Sequence, residues 1–310
     1  ARDGSFVATD RRRNRKEHNV VTIPTNPSEN QSTYFVNPEE AEETARLLLQ
    51  DRLITEETGG VFPGDLDPNR VQLVLDLASG PGGWACDVAR LHPEIDVIGV
   101  DISEKMMRYA QAHAQAQRLD NVSFQVMNVI NPLEFPDASF DFVNARLISA
   151  FMPVAGWPAF IQECVRITRP GGLIRLTEAE WEFTNSVSCE RFADMLTRAM
   201  WLDGKSFSPD GKRFGATLMI RQFLKEGGLI NLNHRAYAVD YSFGAEAHET
   251  LYQASMMHFP LLSPFLVKKG VTTKEEIDQI CDQISYEMQS AAFRALWFLH
   301  SAWGSKPDTA

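Results

Sequence analysis

The sequence predicts an α/β fold: a doubly wound, mostly parallel sheet with an inserted, mainly helical cap. Three observations carry this expectation. Between residues 71 and 178, short apolar runs alternate with helical segments, the rhythm of a parallel sheet covered on both faces. The stretch VLDLASGPGG at 74–83 breaks the first of those runs with glycines. After residue 178 the alternation gives way to mostly helical patterning rich in Met, Phe and Trp.

Bulk properties narrow the function classes. The chain has 310 residues, enough for one large domain or a domain with a sizeable insertion. Its formal net charge of -11 argues against a nucleic-acid surface, because phosphate contact needs Lys and Arg. No apolar run is long enough to span a membrane. The four cysteines are far apart, and none has zinc-ligand spacing, so no metal site is expected. Without a secretory pattern at the start, reduced thiols and a cytoplasmic location are expected.

Taken in order, residues 1–30 read as a flexible tail, with the basic run RRRNRK at 11–16, or as a segment that closes over a ligand. An amphipathic helix is expected at 37–54, with Asn37 as N-cap and Pro38 in the first turn. Strands follow at 71–77, 96–100, 122–127, 140–145 and 173–178. Helices are expected at 83–91, from the N-cap Ser103 to about 118, and at 156–168. RPGG at 169–172 reads as a turn. Beyond it, 179–228 is mostly helical with a loop at 206–215, and 229–241 is a strand. Helices at 245–258 and 273–290 flank the proline-rich MHFPLLSPFL at 257–266, and 293–303 reads as a final strand. The organisation expected is a tail or lid at 1–30, a core with an N-terminal helix at 31–180, a helical cap segment at 181–228, and the last core strands at 229–310 with a helical insertion at about 243–290.

The glycine break has a chemical reading. Gly80 and Gly82 let backbone approach a ligand with no Cβ in the way. The helix that follows presents free N–H groups, and open parallel sheets bind ligands at the carboxyl ends of their strands. Asp101, nineteen positions after Gly82 at the end of the second strand, stands where dinucleotide folds keep the carboxylate that holds a ribose. The stretch therefore reads as a nucleoside site. Spacing alone leaves NAD open, since Ala85 is tolerated at the third glycine position. The discriminating residue is Asp76, two positions ahead of the glycine-type turn.

From Asp76 onward the chain resembles the class I S-adenosylmethionine-dependent methyltransferases, whose first motif runs acidic-x-Gly-x-Gly-x-Gly. Here it reads Asp76-Leu77-Ala78-Ser79-Gly80-Pro81-Gly82, with Ala78 in place of the first glycine. IGVDIS at 98–103 resembles the second motif, which implies Asp101 as the ribose acid and Ile102 beside the adenine. VSFQVMNV at 122–129 resembles the third, which implies adenine contacts from Met127, Asn128 and Val129; Asn128 replaces the usual Asp. FDFVNARLIS at 140–149 resembles the fourth and implies that Asn144, Ala145 and Arg146 lie near the transferred methyl. RPGGLIRLTE at 169–178 resembles the turn and strand that follow. Met106 joins the implied cofactor contacts. The resemblance covers roughly 70–180, and implies a Rossmann-like fold, S-adenosyl-L-methionine as cofactor and methyl transfer by in-line displacement.

Such an enzyme works chiefly by holding two reactants at attack distance and excluding water. A phenol, alcohol or acidic carbon as acceptor also benefits from a base. The candidates for catalytic contact are Tyr34, Glu178 and His258. Each has a plainer alternative: core packing for Tyr34, a structural hydrogen bond for Glu178, a packed histidine for His258. Arg146 suits the methionine carboxylate or an anionic substrate group. The Met- and aromatic-rich cap suits a small hydrophobic molecule, acting through an O, N or C atom, better than a peptide or nucleic acid. Two alternatives remain: an NAD(P)-dependent oxidoreductase on a similar fold, and a cofactor-binding protein that has lost catalysis.

Overall fold

The computed structural model describes Tyr34, Val36, Asn37 and residues 41–308. The expected tail or lid at 1–30 lies outside the described residues, as does Pro38.

The core alternates as its apolar periodicity requires. Helix α1 (Ala41–Glu57) leads into β1 (Leu73–Leu77), α2 (Gly83–Leu91), β2 (Asp96–Asp101), α3 (Glu104–Ala116), β3 (Val122–Val126), β4 (Phe140–Arg146), α4 (Trp157–Ile167) and β5 (Thr168–Ala179). β1 to β4 pair parallel in the order β3-β2-β1-β4, with β5 parallel beside β4. Strands covered on both faces read as continuous apolar runs; Val74, Leu75 and Leu77 are fully buried. The N-cap reading of Ser103 holds: its hydroxyl accepts from the Met106 N–H at 3.2 Å.

Past β5 come β6 (Phe183–Thr184), α5 (Val187–Leu202), α6 (Ala216–Glu226), β7 (Ile230–Asp240), α7 (His248–Lys268), α8 (Lys274–Met288) and β8 (Ala295–Ser305). β8 runs antiparallel between β5 and β7. α5, α7 and α8 pack together with the inner side of β8 around a second apolar core containing Phe192, Phe259 and Ile284. α6 instead covers β5 and β8.

Three local expectations need correction. RPGG is not a turn between elements. β5 starts at Thr168, and residues 169–172 bulge out of its register with β4, with Gly171 in the left-handed region. The proline-rich stretch is not a break either: α7 runs through Pro260 and Pro264. Each proline removes one helical N–H donor, but Phe259, Leu262, Phe265 and Leu266 are all buried, so packing of the helix outweighs the missing bonds. The first helix is described only from Ala41 and extends to Glu57, three residues beyond the expected end.

Candidate active site

A cavity of about 260 Å³ opens at the carboxyl ends of β1, β2 and β4, between α1 and α7. One part of its wall is the glycine turn and the ends of β2 and β3: Asp76, Ala78, Ser79, Gly80, Asp101, Ile102, Met127, Asn128 and Val129, with Met106 from α3. The other part is apolar and comes from the later elements: Trp181, Leu196, Met200, Phe214, Leu251, Phe259 and Trp297.

The turn is tied to the acid at the end of β2. Asp101 accepts from the Gly80 N–H at 3.0 Å through one carboxylate oxygen and from the Ser103 N–H at 2.9 Å through the other. Burial pushes its carboxyl above the usual carboxylate range, and these backbone donors oppose that rise. Ala78 adopts the left-handed conformation, φ 53°, that its glycine-type position demands. Gly82 does not reach the cavity wall. A Cβ there would sit 2.6 Å from the Phe124 ring and 2.7 Å from Ala110, so this glycine permits helix–strand packing.

Asn144 and Ala145 also stand behind the wall: neither lines the cavity, and both are fully buried within β4. The Asn144 amide donates to Asp76 at 2.7 Å and its oxygen accepts from Arg175 at 2.8 Å. Burial lifts the Asp76 carboxyl to about 7, against the lowering influence of Asn144 and Arg175. Arg146 does line the cavity. Its guanidinium is paired with Asp51 and donates to the Thr55 hydroxyl at 3.1 Å. Burial, with Arg175 nearby, brings it down to about 9, still a cation at neutral pH.

Of the three catalytic candidates, Tyr34 and His258 line the cavity and Glu178 does not. Glu178 is fully buried and accepts from the Ser149 hydroxyl at 2.5 Å, so it fixes the segment after β4; burial raises it to about 7. The Tyr34 hydroxyl donates to Glu43 at 2.8 Å and accepts from Arg46 at 3.1 Å. Burial drives its pKa far above the phenol range, which makes it a donor rather than a base. Burial, followed by the Arg46 charge, holds His258 well below the usual imidazole range, so its ring is neutral.

Sequence reasoning missed the contribution of α1: Arg46, Leu47, Gln50, Asp51 and Ile54 all line the cavity. Their spacing of three and four residues puts them on one helix face. The signal was present, but charges on a helix ordinarily mark its solvent side. It also missed Glu180 and Glu182. Glu180 accepts from the Phe214 and Gly215 N–H groups at 2.7 and 2.9 Å and so pins the 206–215 loop. Glu182 lines the cavity, and burial raises its carboxyl to about 7.

Residues 74–172 match the family model described as a methyltransferase domain. "Methyltransferase str2" of Strobilurus tenacellus is 27% identical over 202 residues, 65% of this chain and 62% of that protein. The demethylmenaquinone methyltransferase of Geobacillus kaustophilus is 34% identical over 100 residues, 32% of this chain and 42% of its own. The chain thus spans less than two thirds of either relative. Phosphoethanolamine N-methyltransferase 2 of Haemonchus contortus, solved with S-adenosyl-L-methionine, aligns over 85% of this chain and 52% of its own at 19% identity and a TM-score of 0.48. Residues 74–172, with their acidic residue ahead of a glycine turn and their second acid at the end of the second strand, are thus the part of this chain that is similar to a methyltransferase domain.

Proposed function

We propose that this chain binds S-adenosyl-L-methionine along the β1–β2–β3 wall and transfers its methyl group to a small apolar acceptor held under α5 and α7. One observation carries the reading: a single cavity joins the glycine turn to an aromatic wall built by the later elements. The residues present fit the cofactor. A Cβ at Gly80 would meet only Leu47, at 3.7 Å, so the turn leaves room for a ligand against backbone. Asp101 lines the cavity, and its carboxylate, with about four lone pairs, is not filled by its backbone donors Gly80, Ser103 and Ile102.

In this reading the Asp101 carboxylate holds the ribose hydroxyls. Asn128, whose oxygen already accepts from the Ile130 N–H at 3.1 Å, keeps a second lone pair for the adenine edge. Arg146 supplies donors beside the reacting end, and Tyr34 lines it with its hydroxyl proton committed to Glu43. When bound, the cofactor supplies a methyl group already activated by its sulfonium. The protein aligns the acceptor behind that methyl and excludes water, and its apolar wall suits both tasks. The four cysteines are free thiols, which supports the expected cytoplasmic location. Among the described residues no helix is long and apolar enough to cross a membrane.

Calorimetry with S-adenosylhomocysteine tests the reading. Wild type should bind, and Asp101→Ala should weaken binding by about 1.5–3 kcal/mol, the worth of a charge-assisted hydrogen bond. Folded wild type that does not bind would turn attention to a nicotinamide cofactor. Binding with no turnover in a broad acceptor screen would favour a protein that has lost catalysis.

A further inference from the structure

The linker between β5 and β6 carries two carboxylates along the cavity wall, and they differ in what they do. Glu180 is occupied by the Phe214 and Gly215 N–H groups. Glu182 pins no loop. It lines the cavity beside Trp181 and is only partly buried. Tyr241, buried at 1% exposure, has a hydroxyl with no hydrogen-bond partner of ordinary geometry among the described residues, and it opposes the rise of the Glu182 carboxyl.

We propose, on the methyltransferase reading above, that Glu182 is the proton acceptor of the reaction and that the acceptor is an apolar molecule bearing an acidic hydroxyl, a phenol or its equivalent. The hydroxyl proton passes to a Glu182 oxygen. The acceptor oxygen forms a bond to the methyl carbon, and the carbon–sulfur bond breaks with its electron pair going to sulfur. Sulfonium becomes neutral thioether, and the proton leaves from Glu182 to solvent after product release.

The surroundings select this class. The neighbouring wall residues Trp181, Phe214, Phe259 and Trp297 suit a flat apolar body. A carboxylate lifted to about 7 by burial accepts a proton from a phenol far more readily than from an aliphatic alcohol, whose acidity is too remote. The other titratable or charged groups near it do not compete for the role. From α5, Cys189 is a buried thiol raised to about 12, and Glu190 is a like charge that keeps the Glu182 carboxyl high. Tyr241, from the end of β7, lies far above its usual range. Across the cavity, His258 is neutral and Arg46 is bound by Glu43.

The experiment uses the full chain saturated with S-adenosylhomocysteine and para-nitrophenol as probe, because its phenolate absorbs visible light. Bound to wild type, the probe shares its proton with Glu182. Its phenolate should therefore begin to appear about one pH unit lower than on Glu182→Gln, which cannot take the proton, a tenfold difference in proton affinity; a phenolate that appears at higher pH on wild type marks Glu182 as a mere like charge and overturns its role. If Glu182→Gln does not fold, Glu182→Ala replaces it. It too removes the carboxylate, so the phenolate should appear at the same higher pH as expected for Glu182→Gln. Para-nitroaniline, with no proton to give in this range, should bind with no such effect. Identical phenolate titrations in wild type and variant overturn the role of Glu182. Failure of the S-adenosylhomocysteine-loaded protein to bind the phenol while it binds the aniline overturns the hydroxyl class. Failure to bind S-adenosylhomocysteine at all is a different result, which removes the methyltransferase reading beneath it.

Discussion

Asp51 and Arg146 form a largely buried ion pair that joins the middle of α1 to the end of β4, and the Asp51 carboxylate leans over the first residue of α2. A Cβ added to Gly83 would run into an Asp51 oxygen that the Arg146 pair holds in place. In an isolated helix, Gly→Ala gains about 1 kcal/mol. Here the sign should reverse: Gly83→Ala should destabilise by about 1–3 kcal/mol, the range for an overpacked site. The urea midpoint measures this, and a midpoint equal to or above wild type would contradict the packing described.

Ala78→Gly should act in the opposite direction. A left-handed L-residue costs about 1–2 kcal/mol, and glycine's extra chain entropy returns roughly half of that. The net gain should be about 0.5–1 kcal/mol in unfolding free energy, since Ala78 holds φ 53°. No gain in the thermal midpoint would mean that the Ala78 methyl contributes packing worth as much as the strain.

The Glu43–Arg46 pair lies between α1 and the cavity, at 0% and 3% exposure, with Arg46 Nε 2.7 Å from a Glu43 oxygen. Arg46→Met should cost about 3–5 kcal/mol, because it leaves a buried carboxylate uncompensated. Adding Glu43→Leu should restore most of that loss. A double variant as unstable as the single one would locate the cost in side-chain shape rather than charge.

Glu178 makes stability depend on pH. Its folded pKa, about 7, lies above the ordinary glutamate value of 4.5. The folded state therefore favours the protonated acid. Stability is greatest below the unfolded pKa and falls as pH rises through about 7, where a charge must be buried. Glu178→Gln keeps the shape of the neutral acid and removes that penalty. The variant should match wild type at about pH 4.5 and exceed it at about pH 8, with a shallower slope between. Asp76 and Glu182, also raised to about 7, leave part of the slope in place. Equal thermal midpoints at the upper pH would refute the buried-charge account.

The order of β1 to β5 and the glycine turn at the centre of the core were legible in the sequence, although the start of β5 was not. α2 was legible to its first and last residue, and β1 to β4 to within two residues, because these segments are short, strongly periodic and punctuated by glycine, proline or an N-cap. Asp101 was legible because its position follows from the length of one strand–helix–strand unit. Local pattern could not decide what distant elements would cover. Whether the Glu43, Arg46 and Asp51 face of α1 meets water or the cavity depends on α7 and β4, about 100 to 200 residues away along the chain. Whether Pro260 ends a helix depends on how much of α7 is buried. The same reason separates Glu178 from Glu182, two carboxylates four residues apart. Tertiary packing seals the first against Ser149 and leaves the second facing the cavity.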